Sequence, residues 1–159
     1  MSSIIYMSIK GKKQGLISAG CGTFDSIGNR YQVGHEDDIF VLSYQHLATR
    51  SQHVNHQPVI ILKLIDKSSP LIAACMDNNE EIECNIQFLR TSVNGGLERY
   101  YSIRLGGATI VAIKCDYPHS INDNGMIPQE AISIKYRDIT RNHESCSTGS
   151  YSFWDDRVY

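Results

Sequence analysis

Four consecutive ionisable residues lie in the heptapeptide GHEDDIF (34–40), directly before an apolar segment. His35 with Asp37 or Asp38 could act as the general base of a hydrolase, and imidazole and carboxylate groups are also common metal ligands. A metal site needs side chains that converge. In an extended strand His35 and Asp37 would face away from Glu36 and Asp38, because alternate residues diverge. We therefore interpret the cluster as a polar turn with a structural or subunit-interface role.

The other candidate sites in the sequence are weaker. His53 and His56 are three residues apart, but they lie in the polar segment TRSQHVNHQ, which is typical of a loop and has no carboxylate beside them. We interpret them as surface histidines that could contribute to a subunit interface. GLISAGCG has the glycine spacing of a phosphate loop without the Lys-Ser/Thr that should follow. We predict no catalytic residue, no cofactor and no metal ligand, and hence no enzyme.

The cysteines are predicted to be structural. There are five of them, an odd number, and they form no CxxC pair, whereas a zinc site requires ligands two to four residues apart. Small buried thiols in a reducing cytosol are the simpler interpretation. The five residues are Cys21, Cys75, Cys84, Cys115 and Cys146.

The length and charge of the chain argue against several functional classes. A chain of 159 residues is sufficient for one domain. Fifteen Lys and Arg against seventeen Asp and Glu give a formal charge of −2, which argues against a partner that is nucleic acid or an anionic membrane. No stretch approaches the roughly 20 apolar residues of a membrane helix. The start, MSSIIYMSIKGKK, does not resemble a signal peptide, because its lysines follow the apolar run.

Short alternating apolar segments predict a mainly β protein. The turn formers at 93–96 and at Gly106-Gly107 predict two hairpin turns, so 82–115 should form a three-stranded meander. The segments 49–58 and 116–128 are predicted to be loops. The predicted strands are 4–9, 39–48, 59–65, 82–92, 99–105, 108–115, 131–139 and 149–154.

One short helix is predicted at about residues 69–78. Ser69 can cap it, Pro70 suits the first helical position, and Asn78 can end it. Three residues then share its apolar face: Leu71, Ala74 and Cys75. The elements together predict a β-barrel or sandwich with one flanking helix. The bulky alternation in IFVLSY and IVAI predicts a filled interior.

With these segments in place, the chain resembles the haemolysin-coregulated protein (Hcp) family, the inner-tube proteins of bacterial type VI secretion systems. The likeness extends over nearly the whole chain and rests on a collinear series of segments. In order they are YMSIKGKKQGLISAG, DSIGN, GHEDDI, DKSSPLIAAC, FLRTSVNGGLERYYSIRL, ATIVAIKCDYPH and WDDR.

The resemblance implies a single Hcp-like domain over residues 1–159, without a C-terminal toxin extension, folded as a β-barrel of two sheets with one short flanking helix. It implies six copies closing into a ring, and rings stacking into a hollow tube that carries small effectors. The implied partners are further copies of the chain, a spike protein at the tube tip, the contractile sheath and the effectors. The implied location is the cytoplasm of a Gram-negative bacterium before assembly, followed by secretion in virulence or interbacterial competition.

One departure from the family pattern affects stacking. Related members often carry a longer Pro/Gly-rich excursion where this chain has only residues 49–58. If that excursion docks one ring on the next, stacking here should be weaker or differently made. Two alternatives to a tube subunit remain: a monomeric β-barrel that binds a small ligand, and a hydrolase that uses His35 with Asp37 or Asp38.

Overall fold

The computed structural model describes residues 3–154, and strands dominate this part of the chain. The strands are β1 (Ser3–Gly11), β2 (Gly15–Leu16), β3 (Ile39–Gln45), β4 (Ala48–Arg50), β5 (Val54–His56), β6 (Val59–Leu64), β7 (Ile82–Thr91), β8 (Leu97–Asp116), β9 (Gln129–Lys135), β10 (Asp138–His143) and β11 (Thr148–Phe153). The helices are α1 (Phe24–Ile27), followed by a 3-10 turn (Gly28–Arg30), and α2 (Ser69–Asp77). The DDR of the closing WDDR motif lies outside the described residues.

The strands close into a barrel because β8 pairs at both ends of the strand order. Antiparallel pairs run in the order β8–β7–β1–β3–β6–β9, and β9 pairs again with β8. Strands β10 and β11 extend the sheet outward from the first half of β8. The predicted mainly β fold, a barrel of two sheets with one short flanking helix, is confirmed, and β8 belongs to both halves.

The prediction of a hairpin turn at Gly106-Gly107 was wrong, and so was that of a three-stranded meander. β8 continues through both glycines and exchanges partners there: β7 and β10 lie beside its first half, and β9 beside its second. A Cβ on Gly106 would lie 2.5 Å from Asp138 Oδ1, and Gly107 has a φ of +56°. The glycines therefore provide a tight bend in one long strand. The predicted turn at 93–96 is confirmed between β7 and β8.

The barrel interior is filled by branched aliphatic side chains. Alternation along the strands turns one face of each inward, where the residues are almost completely buried. The core includes Met7, Ile9, Ile39, Val41, Val59, Ile61, Ile86, Ile103, Leu105, Ile132 and Ile134. At roughly 25 cal/mol per Å² of buried apolar surface, this core is the main stabilising contribution to the fold.

Helix α2 and two connections differ in detail from their predictions. The helix is confirmed at Ser69–Asp77, but Ser68 is the residue at its N-cap, and its buried face is Ile72 and Cys75. The predicted strand 131–139 is divided into β9 and β10. The predicted loop 49–58 contains most of the β4–β5 hairpin. No helix within residues 3–154 has the length and apolar character to cross a bilayer.

Candidate functional site

The GHEDDI cluster forms a turn, so the side chains do not alternate as they would in a strand. Asp38 N donates to the carbonyl of His35 at 3.2 Å, which closes the turn, and β3 begins one residue later. His35 Nδ1 and Asp38 Oδ2 are 3.0 Å apart. The expectation that His35 and Asp38 diverge, which applied to a strand, therefore does not hold, because a turn brings residues i and i+3 together.

The imidazole of His35 packs flat on β1. Its ring lies parallel to that of Tyr6, with centroids 3.9 Å apart, and the Tyr6 hydroxyl donates to Gln32 Oε1 at 2.8 Å. Burial, together with the nearby Asp38 carboxylate, raises the pKa of Tyr6. Among the described residues no hydroxyl or thiol is hydrogen-bonded to His35, so the His35–Asp38 pair has no side-chain nucleophile beside it.

The other two carboxylates of the cluster bind backbone N–H groups. Asp37 Oδ1 accepts from Gly20 N at 3.0 Å, and Glu36 Oε1 accepts from Gly34 N at 3.1 Å. This second bond lowers the pKa of Glu36. A Cβ on Gly22 would lie 1.9 Å from the carbonyl oxygen of His35, so only glycine fits this approach. The turn thus attaches the segment that precedes it to the barrel.

The two loop histidines have different environments. His53 is exposed, as predicted. The prediction of a surface position for His56 was wrong: this residue is 6% exposed and lies between the hydroxyls of Tyr136 and Ser152, with its ring near Trp154. The β4–β5 hairpin, which we had predicted to be an open loop, carries His56 inward.

His56 belongs to a chain of hydrogen bonds with one direction. Arg141 Nη2 has only protons to donate and lies 3.3 Å from His46 Nδ1, so this nitrogen accepts. His46 Nε2 then donates to Tyr136 Oη, Tyr136 donates to His56 Nδ1, both at 2.7 Å, and His56 Nε2 donates to Ser152 Oγ at 2.9 Å. Burial, reinforced by Arg141 and His56, lowers the pKa of His46, and burial raises that of Tyr136 to about 12.

A buried charged cluster near helix α2 was missed in the sequence. Lys63 is completely buried, and its Nζ donates to Asp66 Oδ1 at 3.1 Å, to Ser69 Oγ at 3.3 Å and to Glu130 Oε1. A signal was available, because Lys63 follows Val59 and Ile61 in the alternation and so falls on the inward face. The cluster joins β6, the start of α2 and β9.

The cysteines are all free, and their exposure differs. Cys21, Cys75 and Cys84 are buried, and burial raises the pKa of each; that of Cys21 rises to about 11. The prediction of burial was wrong for Cys115 and Cys146, which are exposed at the end of β8 and in the β10–β11 turn. In residues 3–154 no three His, Cys, Asp or Glu side chains converge as metal ligands.

Several hollows lie on the surface of the protein, outside the filled interior of the barrel. A hollow of about 440 Å³ lies beside the bend in β8 and is lined in part by Lys135, Arg137, Phe153 and Trp154. Another, of about 230 Å³, adjoins it through Gly107 and Arg137. Among residues 3–154 neither of these two hollows is lined by a histidine or cysteine, whereas His46 lines two others, where both of its ring nitrogens are already hydrogen-bonded.

Known proteins match the chain along nearly its full length. The family described as "Type VI secretion system effector, Hcp" matches residues 6–143. The "Major exported protein" of Pseudomonas aeruginosa is 41% identical over 172 aligned residues, which cover 99% of each chain. The uncharacterised protein YhhZ of Escherichia coli K12 is 40% identical over 149 residues, covering 93% of this chain and 37% of that protein.

Solved structures agree with the fold. The secreted protein Hcp3 from Pseudomonas aeruginosa superposes with a TM-score of 0.88 at 40% identity, covering 98% of this chain and all of the other. A crystal structure of an Hcp protein gives a TM-score of 0.91 at 27% identity with the same coverage. The matches to the family and to its solved members agree with the mainly β fold and its short flanking helix. The chain belongs to the Hcp family of type VI secretion proteins.

Proposed function

We propose that this protein is a structural subunit of the type VI secretion inner tube. Six copies close into a ring, rings stack into a hollow tube, and small effectors travel in its lumen. As a single Hcp-like domain, the subunit is made in the cytoplasm and leaves the cell with the tube. It acts without enzymatic chemistry of its own. The full-length likeness to proteins named as exported or secreted is the observation that carries this proposal.

The filled barrel supports a structural role over ligand binding. A small-ligand barrel needs an interior left open by small or polar side chains. Here Ile9, Ile39, Ile61 and Leu105 are 0% exposed within a continuous core. The monomeric ligand-binding barrel, our second candidate, would require this core to be replaced by a cavity.

The hydrogen-bond geometry also argues against a hydrolase that uses the GHEDDI residues. Asp37 and Glu36 accept from backbone N–H groups, and His35 is stacked on Tyr6. The His35→Ala and Asp37→Ala variants would lose hydrolysis at an unchanged oligomer mass if these residues were catalytic. A structural or interface role instead predicts a change in stability or oligomer mass.

Stacking of the rings is the step at which we expect this chain to differ from related members. The short β4–β5 hairpin lies in the segment where the resemblance to the Hcp family implies a longer excursion in related members. We expect rings of this protein to stack more weakly than those of members with the longer segment. Assembly on the machine would then depend on the spike at the tube tip and on the surrounding sheath.

The test of the proposal is the mass and shape of the purified protein. Light scattering on a size-exclusion column should give six times the 17.9 kDa of one chain, and negative-stain images should show annular particles. A monomer at every concentration from micromolar to millimolar would overturn ring closure as a property of this chain and favour the ligand-binding barrel.

A further inference from the structure

An acidic lobe projects from one side of the barrel. It comprises residues 23–38 and contains four carboxylates against one arginine. It also exposes large apolar side chains: Phe24 is 58% exposed, Tyr31 is 47% exposed and Val33 is 85% exposed. Aromatic side chains clustered at a charged surface are typical of protein interfaces rather than of solvated loops.

A basic groove lies where the bend in β8 meets the ends of β9 and β11. It is the 440 Å³ hollow lined in part by Lys135, Arg137, Phe153 and Trp154. Phe153 is 50% exposed, and Lys135 Nζ lies 5.3 Å from the centroid of the Trp154 ring. No carboxylate among residues 3–154 forms an ion pair with Lys135. The Arg137 guanidinium, whose side chain is 66% exposed, contacts Asp138 from the solvent side.

The hollow that adjoins the groove extends its positive charge. This second hollow adds Lys10, Lys12 and Arg104, together with Glu81 and Glu83. Two of these cations are already paired, Lys12 with Glu81 and Arg104 with Glu83. Among the described residues the combined surface is therefore net positive, and the excess comes from Lys10 and Lys135, because Arg137 is paired with Asp138. This net charge is opposite in sign to that of the acidic lobe.

The lobe and the groove occupy separate parts of the barrel surface, although the second hollow reaches the end of β1 at Lys10 and Gly11. The lobe rests on β1 through the stacked rings of Tyr6 and His35 and leads into β3. The groove is formed at the end of β9. Around the closed strand order, β9 is three steps from β1 in either direction, through β8 and β7 or through β6 and β3.

We infer that the acidic lobe of one copy docks in the basic groove of the next copy, and that this contact closes the ring. The inference rests on the proposed ring and names the surfaces that form it. A ring built by rotation requires a head-to-tail contact, in which two different patches of one subunit are complementary. The lobe supplies carboxylates and protruding aromatic residues. The groove supplies cations, aromatic walls and a concave shape.

The acidic lobe fits the groove better than another exposed apolar segment does. The loop 117–128 also exposes apolar side chains, including Tyr117, Ile121 and Met126. It contains one carboxylate, Asp123, against the four of the lobe, so it complements the charge of the groove less well.

Charge reversal on each surface provides the test. The lobe variant is Asp25→Lys with Glu36→Lys, and the groove variant is Lys10→Glu with Lys135→Glu, which reverses both unpaired cations of the groove. Each variant alone should lose the six-chain species under conditions where the wild type is hexameric, because like charges then meet at every contact. An equimolar mixture should regain it. In an alternating ring the reversed lobe meets the reversed groove, and the native lobe meets the native groove.

Matched controls separate the contact from general charge effects. Asp123→Lys in the loop 117–128 and Lys114→Glu on β8 reverse exposed charges outside both surfaces and should leave the oligomer mass unchanged. Thermal melts establish that each variant is folded. The native contact should also weaken as the salt concentration rises, because its charges are screened.

The outcomes distinguish this inference from the proposed function. If the wild type forms rings and either reversed variant still forms them alone, the docking of lobe in groove is refuted and the tube subunit stands. If both variants lose the ring but their mixture does not restore it, the two surfaces do not meet and the inference is also refuted. If the wild type forms no ring, both the inference and the proposed function fail.

Discussion

Replacing Lys63 by methionine should destabilise the protein strongly. Methionine has nearly the volume and length of lysine, so Lys63→Met removes the charge and the hydrogen bonds without opening a large cavity. The Lys63 ammonium group is shared by Asp66, Glu130, Ser69 and the carbonyl of Leu64, which lies 2.9 Å from Nζ. Its removal leaves two carboxylates facing each other without a cation.

The magnitude follows from the burial of that cluster. The side chains of Lys63 and Asp66 are 0% exposed, and that of Glu130 is 7% exposed, so solvent cannot replace the lost cation. Removing one partner of a buried ion pair costs about 3–5 kcal/mol. Single domains have free energies of unfolding of about 5–15 kcal/mol, so Lys63→Met should lose a large part of the stability of the fold. Glu130→Gln, added to Lys63→Met, should restore stability with a coupling energy of about 1–3 kcal/mol.

Urea unfolding followed by the fluorescence of Trp154, the single tryptophan, measures both effects. Lys114→Met, at an exposed position of β8, is the matched control and should change the free energy of unfolding by less than about 0.5 kcal/mol. If Lys63→Met lowers the free energy of unfolding by less than about 1 kcal/mol, or shows no coupling with Glu130→Gln, Lys63 does not neutralise the two buried carboxylates and the reasoning is refuted.

Three further predictions concern single positions. Tyr44 Oη is buried without a hydrogen-bond partner among the described residues. Tyr44→Phe should therefore raise the free energy of unfolding by about 1 kcal/mol in urea titrations. A lower free energy of unfolding in the variant would show that the hydroxyl is hydrogen-bonded. Gly22→Ala should cost about 1–3 kcal/mol by overpacking, while Gly96→Ala, with open space around it, should be nearly neutral in the same assay. Burial, with Arg141 nearby, lowers the pKa of His46, so the unfolded chain binds a proton more readily than the folded chain does. The free energy of unfolding should therefore fall as the pH drops below about 6.5. In thermal melts from about pH 7.5 to 5, the melting temperature should fall less in His46→Gln than in the wild type.

Local patterns in the sequence were sufficient to locate most of the barrel strands and helix α2, because each depends on neighbouring residues, but they missed the β4–β5 hairpin and the continuity of β8. Alternation located the buried faces, and Pro70 located the start of α2 to within one residue. Gly106-Gly107 was misassigned because a glycine pair permits both a hairpin turn and a bend in a continuous strand. The choice between them depends on Asp138 and Arg137, which approach from about thirty residues further along the chain.

The candidate site was less predictable, because contacts distant in sequence decide the role of each polar group. His56 and Tyr136 are 80 residues apart, and nothing local to either indicates their hydrogen bond. Lys63 differs, because its inward position could be recognised from the alternation alone. What the alternation could not supply was the identity of its partner Glu130, 67 residues away.

The hydrogen bonds of His46 and His56 explain why these residues serve a structural role, although histidine is a common catalytic residue. A general base needs a ring nitrogen that is free to take a proton from a substrate. Both nitrogens of His46 and both of His56 are already engaged in the hydrogen-bond chain that runs from Arg141 to Ser152. Protonating His46 on Nδ1 would set an N–H group against the Arg141 guanidinium. The hydrogen-bond chain therefore holds the β4–β5 hairpin against the end of β9 and against β11, which would suit the proposed subunit, whose surfaces must be fixed to meet its neighbours.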